Sequence, residues 1–259
     1  MTSIPTTFLA DLPAWSFAFM LVLARFGAAM ALLPGLGEMT VPAIVRVGLA
    51  LGLTLLLLPG LFPLMPPMPD AGVPAAGMVA AEVITGLWLG WLARLMCLAL
   101  PIAAQFIAYL LGISSVLQPD PQLGPQSTAL AALFGIAAPA VIMASGLYVL
   151  PLTALAGSYR LIPPGTLLPA ADSTAMAVAS VQQAFALSLR LASPLVVAAI
   201  IWHVAVGLIA RLVPRLQIYF VSMPGQIVGG LALLASLFGV ILSAWQDAVR
   251  DGLAALPGN

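Results

Sequence analysis

Arg25, Glu82, Arg94, Arg190 and His203 are the side chains that could do chemistry, because each stands inside a long apolar stretch. An arginine at the centre of a membrane-crossing helix costs about 2.5 to 3.5 kcal/mol on insertion scales, so each such residue is functional or shielded. The chemistry open to them is an ion or proton pathway, and the plainer alternatives are contact with another subunit or snorkelling to the interface. Glu82 and Arg94 lie roughly 120° apart around one helix at 100° per residue, so each should find a partner on another segment. His203, the single histidine, has no acid or cysteine at ligand or triad spacing. It reads as a hydrogen-bonded packing residue, with pH sensitivity as the alternative. Cys97 stands alone, which excludes an internal disulfide, and reads as a small buried apolar residue. No Gly-rich phosphate loop, paired intramembrane aspartates, His-Glu-x-x-His or nucleophile elbow is present, so neither catalysis nor a cofactor or metal is expected.

The elements that must position these residues follow from composition and length. Hydrophobic residues make up 63% and charged residues 6%, with a mean hydropathy of +1.16. Such a chain has too little polar surface to cover a soluble core. Eight basic residues, all arginine, balance eight acids, which suggests neither a nucleic-acid partner nor a polybasic lipid-binding tail. Met1 to Pro13 contains Asp11 and no positive charge ahead of the first apolar run, so that run is expected to be a retained helix rather than a cleaved signal.

Crossing an apolar layer of about 30 Å takes roughly 20 helical residues. Six stretches reach that length: Ala14 to Leu33, Ala43 to Phe62, Pro74 to Leu100, Ala129 to Ala156, Val178 to Leu212 and Gln217 to Trp245. Their aliphatic, non-alternating character requires helices, since a barrel strand would alternate in polarity. A seventh stretch, Pro101 to Leu117, starts with proline and dissolves into Gly112-Ile113-Ser114-Ser115 before Pro119-Asp120-Pro121. It reads as a half-helix leading into a loop at membrane depth. Pro59 to Asp70 reads as a stiff extended connection, and Pro163-Pro164-Gly165 as a turn before a helix capped by Asp172-Ser173-Thr174 that starts near Ala175. Gly48/Gly52 and Gly86/Gly90 each permit close helix approach, while Pro139, Pro151 and Pro194 bend or break their spans. The expected architecture is a single all-α membrane domain over residues 1–259, with about six kinked hydrophobic helices plus a broken half-helix and loop.

Read in order, these motifs resemble the FliR/SctT family of flagellar and virulence export-apparatus proteins along essentially the whole chain. Ala24-Arg25-Phe26 through Leu33-Pro34, then Pro42 to Leu51 with Arg46, is similar to the family's first hairpin. Gln105-Phe106-Ile107, Gly112 and Asp120-Pro121 resemble its glycine placed ahead of an Asp-Pro. Ser158-Tyr159-Arg160 running to Pro163-Pro164-Gly165 resembles its serine-aromatic turn. Gly207, Arg211, Pro214, Arg215 and Met223-Pro224 look like its turn before the last span. The chain departs from the pattern at Arg215, Gln217, Ala104-Gln105 and Leu147, which affects flagellum-specific contacts more than architecture.

The resemblance implies a core subunit of the type III secretion export gate in the bacterial inner membrane, in the basal body of a flagellum or injectisome. Its implied neighbours are FliP-like and FliQ-like membrane subunits, FlhB-like and FlhA-like components, membrane lipid and unfolded exported cargo. It also implies a pore plug in the loop 112–126, built on Gly112, Ser114, Ser115, Leu117, Gln118, Pro119, Asp120 and Pro121. The residues read independently single out the same segment, where glycine and serines allow motion and prolines limit it. The rival reading is a secondary transporter of a small solute, which would use intramembrane charges and broken helices but should show an inverted repeat that this chain lacks. If all six spans cross, Arg46, Arg211 and Arg215 share one side, a weak vote for that side as cytoplasmic.

Overall fold

The computed structural model describes residues 6–112, 128–212 and 218–259, and among these it is helical with no strand. Seven α-helices follow one another: α1 (Thr6–Met30), α2 (Ala43–Leu61), α3 (Gly72–Leu110), α4 (Ala129–Ala144), α5 (Val149–Leu161), α6 (Ala170–Leu212) and α7 (Ile218–Ala254). A single 3₁₀ turn, Phe62–Leu64, extends α2. Among the described residues five helices are long and apolar enough to cross a membrane, and counting the broken pair α4 and α5 as one span makes six. In lipid no water is available to bond backbone groups, so each span satisfies its own.

The expected half-helix starting at Pro101 is corrected: α3 runs unbroken through Pro101 to Leu110. Proline removes one hydrogen bond from the ladder, but a break would free further carbonyls and amides with no water to receive them. Among the described residues the break falls instead between Ala144 and Val149, where Gly146 takes φ +75°. Glycine adopts that left-handed conformation without a Cβ penalty. Pro151 sits in the first turn of α5, where its missing N–H would have no intrahelical partner anyway. The connection after α2 is also shorter than expected, because α2 continues through Pro59 to Leu61. Similarly, α6 starts at Ala170 rather than near Ala175. Ser173 and Thr174 do not cap it; their hydroxyls donate back to the Pro169 and Ala170 carbonyls at 2.8 and 2.6 Å.

The chain forms two compact units. The first holds residues up to Leu95, Ile142–Ser180 and Arg250–Asn259; the second holds Met96–Val141 and Val181–Val249. In the first, α1 turns the stripe Phe17, Leu21, Val22, Phe26 and Ala29 inward, the spacing of one helix face. Gly86 and Gly90 of α3 pack against it: a Cβ at Gly86 would collide with the Arg25 carbonyl, and one at Gly90 would come within 2.8 Å of the Ala29 carbonyl. At Gly48 and Gly52 of α2, by contrast, a Cβ would meet nothing within 4 Å. In the second unit, Phe106 meets Phe185 and Phe134 meets Phe238 edge to face, at centroid distances of 6.0 and 5.7 Å.

Candidate functional site: a charged cluster and the two ends of segment 113–127

Arg25 lies on the inward stripe of α1, and both it and Glu82 of α3 have no exposed surface. Its Nε donates to Glu82 Oε2 at 2.6 Å and its Nη2 to Glu82 Oε1 at 3.0 Å, a two-pronged pair. Nη1 donates to Ser158 Oγ at 2.9 Å, and Nη2 also reaches the Ile162 carbonyl at 3.2 Å. Glu82 Oε1 accepts a third bond, from Gly165 N–H at 2.7 Å. The Tyr159 ring covers the guanidinium at 3.9 Å, and Phe26 stacks near Tyr159. Tyr159 thus offers its π-face to the cation, and among the described residues its buried hydroxyl has no hydrogen-bond partner.

Local sequence explains how these groups arrive. Ser158 and Ile162 are four residues apart at the end of α5, so hydroxyl and carbonyl lie on one face. In the turn that follows, Thr166 N–H bonds the Pro163 carbonyl at 3.2 Å, with Pro164 and Gly165 at its centre and Gly165 at φ +77°. That geometry asks for proline first and glycine second, and it aims the Gly165 N–H at Glu82. Arg25, Glu82, Pro163 and Gly165 therefore form one cluster. It can hold three helices together; with every charge matched inside, it has no group left to carry an ion.

The second feature lies in the second unit, at the ends of segment 113–127. Gly112 ends the helical run of α3 at φ +73°. Gln226 of α7 donates its Nε2 to the Leu110 carbonyl at 2.7 Å, one of the carbonyls that a helix end leaves open. At the other end, Thr128 caps α4, its Oγ1 accepting the Ala131 N–H at 3.2 Å. Gln105 Oε1 of α3 accepts from both Thr128 N–H and Thr128 Oγ1 at 3.1 Å. Two glutamine amides thus bond Leu110, two residues before Gly112, and Thr128 on either side of the segment. Ser114, Ser115, Leu117, Gln118, Pro119, Asp120 and Pro121 of the expected plug lie outside the described residues, as do Pro214 and Arg215.

The other expected residues are dispersed. Arg94 donates to Glu38 Oε2 at 3.3 Å and to the Leu32 carbonyl at 3.5 Å, half-buried. Arg190 is exposed midway along α6 and makes no ion pair among the described residues. His203 Nδ1 lies 2.7 Å from the Ala199 carbonyl of its own helix. Arg211 is exposed in the last turn of α6, where a cation suits the helix dipole. Pro42 precedes α2 and its carbonyl accepts the Val45 N–H at 3.0 Å. Arg46 lines a cavity between α1 and α2, and Pro224 lies within α7. Sequence reading did not single out Glu38, Thr128 or Gln226. A threonine directly ahead of an apolar run is a cap signal that could have found Thr128; nothing local marks the other two.

The sequence pattern of bacterial export proteins, family 1, matches residues 16–252. The chain is 33% identical over 231 residues to the flagellar biosynthetic protein FliR of Caulobacter vibrioides, covering 89% of this chain and 92% of that protein. Identity to FliR of Bacillus subtilis is 28%, covering 86% and 87%, and to FliR of Escherichia coli 24%, covering 88% and 87%.

Proposed function

The chain belongs to the bacterial export proteins, family 1, and on that premise we propose that it is a membrane subunit of the flagellar export gate. In this reading it assembles with FliP-like and FliQ-like subunits around a protein-conducting pore in the inner membrane, meets FlhB-like and FlhA-like components, and performs no catalysis itself. Unfolded flagellar proteins are the cargo.

The observation that carries the reading is the length and bareness of α6 and α7. They hold 43 and 37 residues, contours of roughly 65 and 55 Å against an apolar layer of about 30 Å. Only 11% of the most apolar stretch of each is buried, against 56% for α3. Tilting absorbs part of such an excess, but apolar helix that leaves the lipid must be covered by protein. Arg190, exposed on α6 and without an ion pair among the described residues, favours the same conclusion, because a charge at mid-helix needs a partner. A solute transporter is less well supported, since Arg25 and Glu82, the charges it would use, close on each other.

Within this reading, the segment 112–126 plugs the pore, with Gln105 and Gln226 holding its ends. Two measurements test the proposal. The chain expressed with FliP-like and FliQ-like proteins should co-purify with them as one complex, and a stable solitary chain that transports a solute would overturn the subunit reading. Deleting Gln118 to Gln122 should raise ion leak through cells with assembly intact; unchanged leak in an assembled complex would remove the plug.

A further inference from the structure

Between α1 and α2 lies a cavity of about 430 Å³, open on one side. Leu23, Gly27 and Met30 line it from α1, and Arg46, Val47 and Ala50 from α2, which is one helical stripe from each wall. At Gly27 a Cβ would meet nothing within 4 Å, so the space reaches the α1 backbone. Among the lining residues Arg46 alone has a polar side chain. Its Nε is buried and has no hydrogen-bond partner among the described residues, whereas Arg25 and Arg94 both have carboxylates. A guanidinium stays protonated under any cellular condition, and buried donors left unpaired are destabilising. The cavity therefore calls for an anion.

Its layout specifies which kind. Helix α2 has 19 residues, roughly 28 Å, which matches the apolar layer of a bilayer. Arg46 sits in the first turn of α2 and so stands at the rim of that layer, where lipid phosphates lie. Ala50 lies one turn further in. A charge at the rim above aliphatic walls is the complement of an amphiphile. A carboxylate from another protein would satisfy Arg46 but leave the space beside Gly27 empty.

We propose that this cavity binds an anionic phospholipid of the surrounding membrane, its phosphate on Arg46 and an acyl chain along Leu23, Gly27, Val47 and Ala50. Basic pockets between membrane helices recognise lipid head groups in this way. The full chain is reconstituted in nanodiscs of mixed phosphatidylglycerol and phosphatidylcholine, and lipid retained after detergent extraction is measured by mass spectrometry. Phosphatidylglycerol should be enriched, and Arg46→Gln should lower the enrichment about fivefold, the equivalent of one arginine near anionic lipid. Arg46→Lys should keep most of it, and Arg250→Gln, at an exposed arginine of α7, should change nothing. Gly27→Leu, at a position where a Cβ meets nothing within 4 Å, puts a side chain into the cavity and should expel the lipid even with Arg46 present. Three results would overturn the proposal: no enrichment in the wild type, enrichment that survives both Arg46→Gln and Gly27→Leu, or displacement by inorganic phosphate, which would make the ligand a free anion. A photo-crosslinker at Val47 that captures protein instead of lipid in the assembled apparatus would overturn it as well.

Discussion

Around Arg25, four donated hydrogen bonds and an aromatic face enclose a guanidinium without exposed surface, whereas each end of segment 113–127 is held by one neutral glutamine amide. The two regions solve the same problem, a polar group inside an apolar protein, with opposite consequences. A buried charge that loses its partner is left in a low dielectric and is strongly destabilising. A neutral amide can exchange its hydrogen-bond partner for water or another protein group at little net change. The first arrangement therefore fixes its helices, and the second can let go.

The sharpest way to break this contrast is Arg25→Ala, which leaves Glu82 buried and unpaired and should destabilise the purified protein by about 3 to 5 kcal/mol in an unfolding titration. Arg25→Lys, which retains charge but not the two-pronged geometry, should fall between wild type and alanine. Next in size, Gly86→Leu drives a side chain into the Arg25 carbonyl and should cost about 1 to 3 kcal/mol by the same measurement. Gln226→Leu uncaps Leu110 and should cost only about 1 kcal/mol, yet hydrogen exchange at the end of α3 should rise, and with it ion leak in cells if the plug reading holds. Smallest of all, Gly48→Leu should lie within about 0.5 kcal/mol of wild type in the isolated chain, since nothing occupies that space. If Gln226→Leu matched Arg25→Ala in stability, the division into holding and releasing regions would fail.

Much of this was legible from residue types alone. The lengths of the apolar runs gave the helices, and their intramembrane charges required partners on other segments. The angular offset between Glu82 and Arg94 correctly kept them apart: Glu82 meets Arg25, and Arg94 meets Glu38. Identities of partners were not legible, because Arg25 reaches across 57 residues to Glu82 and 133 to Ser158, and no local pattern encodes such separations. Gly48/Gly52 and Gly86/Gly90 have the same spacing and different fates, since spacing permits close approach without saying what approaches. Pro101 was misleading for a related reason: proline lowers helix stability in water, where a break is hydrated, far more than in surroundings that offer a broken helix nothing.

The long reach of Arg25 also sets an order of events at the ribosome. Its guanidinium enters the membrane with α1, but the Ile162 carbonyl that completes its shell is 137 residues downstream. At a synthesis rate of 5 to 20 residues per second, the newborn hairpin waits roughly 7 to 27 s with its ion incompletely dressed. During that interval, a chaperone, the insertion machinery or head-group water must stand in for α5.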